Sequence, residues 1–185
     1  MQNIENLIFD LGGVILTLDM PRAEQHFTAL GVKDYNTLFR SGNVSSFFKA
    51  YEVGSITDAE FIEALKNLSG LPLTDKDLIA AWNAMLGHFP EERIALLNKL
   101  KNKYRLFLFS NTNALHLTTF RKMYADTFNG NVFDDHFEKA YYSHTLGMRK
   151  PDKESYEYII RENNLDPTKT VFIDDSILNI EGAEA

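Results

Sequence analysis

No cysteine occurs among the 185 residues, which removes disulfides, thiolate nucleophiles and cysteine-ligated zinc. An excess of positive charge is missing as well. Lysine and arginine number 19 against 26 aspartates and glutamates, a formal net charge of −7 and the wrong sign for general affinity to nucleic acid or an anionic membrane. A basic pocket for a small anion stays open, because net charge does not describe a cleft. The opening stretch Met1–Val14 has no basic region and no cleavage-site pattern, so no secretory signal is read there. No apolar run approaches the roughly 18 residues that a membrane-spanning helix needs, and the expectation is a cytoplasmic protein. There is no P-loop, no dinucleotide fingerprint and no internal repeat. The histidines, His26, His88, His116, His136 and His144, show no metal-ligand spacing. What is present is a globular composition, 44% apolar and 24% charged, at a length that permits one compact core with a small subdomain.

Three short apolar runs rich in Phe, Ile, Leu and Val read as buried strands: Asn6–Asp10, Tyr104–Ser110 and Thr170–Asp175. A weaker fourth, Lys139–Ser143, lies between the last two. Helical patterns separate the second, third and fourth, and this alternation predicts a parallel α/β sheet. Ligands of such sheets bind beyond the carboxyl ends of the strands. The polar residues closing the runs, Asp10, Ser110, Ser143, Asp174 and Asp175, therefore share one rim.

Residues 16–103 are of a different kind, with helix signals and almost no strand signal. Thr57 and Glu60 form a capping box, Phe61, Ile62, Leu65 and Leu68 give one apolar face, and Gly70 is placed to end the helix. Thr74 starts another helix whose face would run through Leu78, Ile79, Trp82 and Met85 or Leu86. Pro90, Glu91 and Glu92 suit a first turn leading to Ile94, Leu97 and Leu100. Earlier helices are expected at Pro21–Leu30 and Asn43–Val53. The expected division is an α/β core of residues 1–15 and 104–185 and a helical cap of residues 16–103, with the helix near 90–103 returning to the core. Phe47, Phe48 and Tyr51 read as cap core rather than as a substrate platform, and Asp134-Asp135-His136 as a loop or helix start.

The rim carries chemistry. A carboxylate at a strand's end, Asp10, followed by Gly12-Gly13, can attack phosphorus and form an aspartyl-phosphate. Ser110-Asn111-Thr112 offers a hydroxyl and free N–H groups for phosphate oxygens, and Lys150 brings an ammonium near the rim. Asp174-Asp175 places two adjacent acids where a cation must neutralise them, and hard oxygen ligands suit magnesium. Each element alone has a bland reading as a turn, an N-cap or a surface charge. Together they supply what phosphoryl transfer needs: an attacking group, charge neutralisation and positioning.

Phe9–Val14, Ser110–Asn113, Gly147–Pro151 and Phe172–Ser176 resemble, in order and spacing, the four motifs of the haloacid dehalogenase-like hydrolases, and Asn179–Ala183 resembles the segment after the fourth. Within that superfamily the chain is most similar to the bacterial α-D-glucose-1-phosphate phosphatase group, through Ser110–Asn113, Leu146–Pro151 and Tyr51–Ile56. The resemblance implies a Rossmann-like parallel sheet with a small helical cap inserted after the first strand. It also implies a Mg²⁺-dependent phosphatase of a small phosphorylated metabolite, such as glucose 1-phosphate. Asp10 would be nucleophile and metal ligand, and Ser110 and Asn111 would bind the phosphoryl group. Lys150 would neutralise nucleophile and phosphate, while Gly12 through its carbonyl, Asp175 directly and Asp174 through water or in support would serve the metal. One position departs from the commonest pattern: where most such phosphatases carry a second Asp as general acid and base, this chain has Gly12. The glucose-1-phosphatase-like group shares that departure.

A 2-haloacid dehalogenase shares the scaffold but has no need of two metal-binding acids, so Asp174-Asp175 argues against it. A non-catalytic phospho-ligand-binding protein is favoured only by Gly12, and a phosphomutase would depend on the acid missing there. Ile177–Ala185 begins a helical pattern and stops, whereas the resemblance implies continuation into a further strand and helix. The expectation is a shortened chain with one sheet edge or apolar face uncovered.

Overall fold

The computed structural model describes residues 3–33 and 42–185, with side chains from residue 46 in the second stretch. Residues 34–41, part of the expected cap, lie outside the described residues. Four parallel strands, β1 (Asn6–Phe9), β2 (Arg105–Ser110), β3 (Lys139–Tyr142) and β4 (Thr170–Ile173), form one sheet in the order β3-β2-β1-β4. The chain moves outward from β1 through β2 to β3, then returns across β1 to place β4 on the far side. That reversal opens a crevice at the carboxyl ends of β1 and β4, where doubly wound sheets bind ligands.

The helices are α1 (Met20–Ala29), α2 (Gly42–Glu52), α3 (Asp58–Ser69), α4 (Asp75–Asn83), α5 (Glu91–Leu100), α6 (Ala114–Thr127), α7 (Ser143–Leu146), α8 (Lys153–Glu162) and α9 (Ile177–Glu184). Side-chain alternation along β1 and β2 sends Leu7, Phe9, Leu106 and Leu108 to one face, against Ile94 and Leu97 of α5 and Phe120 and Tyr124 of α6. Ile8, Phe107 and Phe109 go to the other, against Ile159 of α8. Both central strands are therefore covered on both faces, which explains their unbroken apolar runs. β4 departs from the expected buried strand: none of its residues is fully buried, and Val171 is 36% exposed. Among the described residues it is an edge strand, with a neighbour on one side only. Ile177 and Leu178 of α9 are also exposed.

A third apolar cluster gathers Phe27 of α1, Tyr51 of α2, Phe61, Ile62 and Leu65 of α3, and Leu78 and Ala81 of α4. Phe61 is its centre: fully buried, its ring lies 3.9 Å from that of Tyr51 and 5.0 Å from that of Phe47, with Trp82 tilted against it at 4.9 Å. Phe47, Phe48 and Tyr51 thus pack within this cluster, as expected. The capping box is formed in full, Thr57 Oγ1 accepting from the Glu60 N–H and the Glu60 carboxylate accepting from the Thr57 N–H, and Gly70 ends the helix at φ 63°.

The face expected to continue to Met85 or Leu86 stops earlier, because α4 ends at Asn83. The chain instead crosses back beside the outgoing Leu16–Leu18. Leu18 and Leu86 form an antiparallel bridge, and the Thr17 hydroxyl accepts from the His88 N–H at 2.8 Å. A Cβ at Gly87 would stand 2.3 Å from Thr17 Oγ1, so only glycine permits this crossing. Asp134–His136 lies in a 3-10 turn, Phe133–His136. No helix among the described residues is long and apolar enough to cross a membrane.

The aromatic cluster yields a test. Phe61→Ala should remove about 3–5 kcal/mol of stability, whereas Thr57→Ala, which deletes only a cap, should remove about 1 kcal/mol. Urea unfolding of the two variants measures the difference; equal losses would show that Phe61 is not the centre of this cluster.

Candidate active site

The parallel register sets the rim. Asp10 follows β1 by one residue, and its N–H donates to the Ile173 carbonyl at 2.8 Å, one rung beyond the pairing of Phe9 with Ile173. Asp174 and Asp175 therefore begin where β4 ends beside Asp10, and Ser110 closes β2 on the other side. Oxygens of Asp10, Asp174 and Asp175 lie within 4.8 Å of one another, the only such group of metal-capable side chains among the described residues. The histidines join no comparable cluster there.

Lys150 reaches this rim from the loop between α7 and α8. Its ammonium is 2.7 Å from Asp10 Oδ1 and 2.6 Å from Asp174 Oδ2, and its side chain is 1% exposed. The Phe109 and Phe172 rings each lie 5.4 Å from Nζ, so an aromatic floor at the ends of β2 and β4 supports the charge. Three carboxylates and one ammonium leave two negative charges at the crevice. Burial pushes the Asp10 carboxyl up to about 6, against the opposing pull of Lys150. The charged form of Asp10 is thus short of favourable partners.

The two acids of β4 do different things. Asp174 is saturated: Oδ1 accepts from the Ser176 N–H and from Asn179 Nδ2, both at 2.9 Å, while Oδ2 accepts from Lys150. Asp175 instead lies against Gly13, where a Cβ would sit 2.2 Å from Asp175 Oδ2. Gly13 also has φ +75°, so the position requires glycine twice over.

In the turn after Asp10, most main-chain oxygens are claimed. The Leu11 carbonyl accepts from Ile15 and Leu16, and that of Leu16 from Gly13. Those of Gly13 and Val14 accept from Arg93 Nη1 of α5, at 3.2 and 2.9 Å. The Gly12 carbonyl has no such partner among the described residues. In place of the missing second acid stands Leu18, whose Cδ1 would be 3.0 Å from a Cβ at Gly12.

Other rim residues act on the scaffold. The Asn111 carboxamide is clamped to the Lys150 backbone, its Oδ1 accepting from the Lys150 N–H and its Nδ2 donating to the Lys150 carbonyl, both at 2.9 Å. Ser143 does the same for the neighbouring loop, accepting from the Thr112 N–H and donating to the Thr112 carbonyl. Asn113 caps α6 by accepting from the His116 N–H. The His116 ring stacks on Trp82 and its Nε2 lies 3.2 Å from the Trp82 carbonyl, tying the helical cluster to the rim, and burial pushes its pKa down to about 4. Arg149, next to Lys150, bonds Glu52 at the end of α2 at 2.9 Å.

Asp10, Ser110, Ser143, Asp174 and Asp175 thus lie along one rim as the strand ends predict, Lys150 joins Asp10 and Asp174 from a loop, and Gly12 and Asn111 follow β1 and β2 there. Sequence reasoning missed the Arg93 contact, which bridges 80 positions and carries no local signal. It also missed the clamps made by Asn111, Ser143 and Asn179. Asn179 was legible in principle, since it lies in the first turn of the helix that follows Asp174 by a short loop.

Known proteins resemble the chain along most of its length. A D-ribitol-5-phosphate phosphatase of Bacteroides thetaiotaomicron is 30% identical over 96% of this chain and 85% of its own length. A sesquiterpene phosphatase of Aspergillus oryzae is 29% identical over 96% of this chain and 84% of its own. An HAD-family enzyme of Bacteroides thetaiotaomicron, solved with magnesium and inorganic phosphate, superposes with a TM-score of 0.90 at 35% identity, covering 98% of this chain and 90% of that one. The family model of the haloacid dehalogenase-like hydrolases matches residues 4–185, nearly the whole sequence, and the chain belongs to that family of hydrolases.

Proposed function

We propose that this protein is a cytoplasmic, magnesium-dependent phosphatase of a sugar or polyol phosphate, working through a phosphoryl group carried transiently on Asp10. The observation that carries the reading is the buried Asp10–Lys150–Asp174 array with a third carboxylate, Asp175, beside it. The division into an α/β core, residues 1–15 and 104–185, and a helical cap, residues 16–103, is part of the same proposal, with α5 packed on the sheet. Reaching the crevice then requires passing between the two.

Magnesium fits the donor set: hard carboxylate oxygens, an unclaimed carbonyl at Gly12 and two uncompensated negative charges. Asp10, Asp175 and the Gly12 carbonyl would hold it, with Asp174 behind them fixing Lys150. Bound there, it would supply positive charge to the carboxylate and to the phosphate oxygens. The side chains account for the rest. An Asp10 oxygen attacks phosphorus, the bond to the substrate's alcohol oxygen breaks and that oxygen takes a proton from water, and a further water later hydrolyses the aspartyl phosphate to restore the carboxylate and release phosphate. Lys150 neutralises the nucleophile before attack and the phosphoryl oxygens during it. Ser110 donates its hydroxyl to the phosphoryl group, and Asn111, its carboxamide committed to Lys150, contributes through its main chain.

The substrate class is supported by the ribitol-phosphate relative and by the leaving-group chemistry at Gly12. Leu18, the neighbour of Gly12, cannot donate a proton, so departing oxygens that tolerate negative charge are favoured there. The anomeric oxygen of a sugar 1-phosphate is such a group. Glucose 1-phosphate is therefore the first candidate. The dehalogenase reading is disfavoured because it leaves Asp174 and Asp175 without a purpose.

Phosphate release should require Mg²⁺, stop with EDTA, and be abolished in Asp10→Asn, whose amide is a poor nucleophile. Retained turnover in that variant, with deamidation excluded by mass spectrometry, would overturn the mechanism. The same variant tests the buried charge. Because the folded carboxyl is raised to about 6 from 3.8, its contribution to stability is complete below the unfolded pKa and is lost as the pH rises through 6. Metal-free Asp10→Asn should therefore melt above the parent at pH 7, with the gap closing below about pH 4; an equal or lower melting temperature at pH 7 contradicts this. Finally, catalytic efficiency should be higher on α-glucose 1-phosphate than on glucose 6-phosphate under identical magnesium. Gly12→Asp, for which Leu18 must yield a few tenths of an ångström, should narrow that gap by helping the poorer leaving group most. Glucose 6-phosphate turned over equally well or better would refute the leaving-group argument, and ribitol 5-phosphate preferred over both would place the choice in the cap.

A further inference from the structure

Arg93 occupies the first turn of α5, a helix anchored on the sheet by the buried Ile94 and Leu97, and lies five residues beyond His88, which Thr17 clasps. Its guanidinium enters no ion pair among the described residues. It is spent instead on two successive main-chain oxygens, those of Gly13 and Val14, in the turn that follows Asp10. Both bonds leave one nitrogen, Nη1, and the planar guanidinium holds that nitrogen with less rotational freedom than a lysine ammonium would have. Two features of the crevice depend on where that turn lies. With the Leu11, Gly13, Val14 and Leu16 carbonyls taken, the Gly12 oxygen, two residues after Asp10, has no protein partner among the described residues. Gly13, held by its own carbonyl, presents the surface against which Asp175 rests, closer than any Cβ would allow.

We infer that Arg93 is a positioning residue for the cation site: it fixes the Gly12–Val14 turn so that the Gly12 carbonyl and the Asp175 carboxylate stand ready together. It touches neither cation nor substrate. The inference rests on the function proposed above for the identity of the cation, not for the geometry. Groups of this kind behind metal ligands typically change metal affinity about 10–100-fold when removed.

The test is isothermal calorimetry of Mg²⁺ alone on the full chain without substrate, for the parent, Arg93→Met and Arg93→Lys. Arg93→Met should bind Mg²⁺ about 10–100-fold more weakly, and Arg93→Lys should fall between it and the parent. Turnover of p-nitrophenyl phosphate by Arg93→Met should be largely restored by excess Mg²⁺, with KM for the ester little changed. Such a split is not produced by loss of fold, which excess metal does not repair. Mg²⁺ affinity in Arg93→Met within twofold of the parent overturns the inference. Should Arg93→Met fail to fold, Arg93→Lys decides by the same twofold criterion. A parent protein that binds Mg²⁺ but hydrolyses no phosphate ester refutes the proposed function and leaves Arg93 to be judged by calorimetry; a parent that binds no Mg²⁺ overturns the inference itself.

Discussion

One buried ammonium organises the crevice. Lys150 is withdrawn from water, and a charge so placed is tolerable only if opposite charges and hydrogen bonds surround it. Asp10 and Asp174 supply the charges and the Phe109 and Phe172 rings the floor. Asp10 and Asp174 terminate adjacent parallel strands, so the position of Lys150 holds only while β1 and β4 keep their register. The converse also applies. Two buried carboxylates side by side would repel each other without the lysine between them.

Much of the surrounding polar machinery serves that one group. Asn111 holds the Lys150 backbone from β2, Asn179 and the Ser176 N–H hold Asp174 from α9, and Ser143 joins the loops after β2 and β3. The bonds of Asn111 and Ser143 join segments far apart in sequence, those of Ser176 and Asn179 are local, and together they tie the rim of the sheet into one frame. Rigidity at this point has a physical use, because a site that stabilises transferring charge works through groups already in place. The raised carboxyl of Asp10 shows the other side of that arrangement: the frame excludes water from this carboxylate and supplies less compensating charge than its ionised form needs.

The helical cluster above the rim is built on a different principle. It coheres by aromatic packing around Phe61 and meets the rim through a few polar contacts, His116 with the Trp82 carbonyl and Arg149 with Glu52. The two chain crossings between cluster and sheet lie side by side, joined at Thr17 and His88. Under the proposed function chemistry and selectivity are thereby separated: the strand ends would hold the reacting groups, and the helices would shape what reaches them.

The sequence alone determined the parallel sheet, because fully covered strands must be apolar throughout and each run here ends in a polar residue. It determined that Asp10, Ser110, Asp174 and Asp175 share an edge, because parallel strands in register bring their last residues together. It determined the Thr57 cap and the Gly70 stop, which are local geometry. It was less reliable where neighbours decide. β4 reads as buried yet lies at an edge, since composition does not record how many strands flank it. The face of α4 ends at Asn83 because Gly87 must cross beside Thr17, a contact between distant segments. Only the tertiary structure separated the two adjacent acids, giving Asp174 to Lys150 and Asp175 to the seat at Gly13, and only it brought Arg93 to the turn behind Asp10. Spacing along a chain encodes what lies on one strand or one helical face; which of two neighbouring carboxylates is already satisfied depends on donors that arrive from elsewhere in the fold.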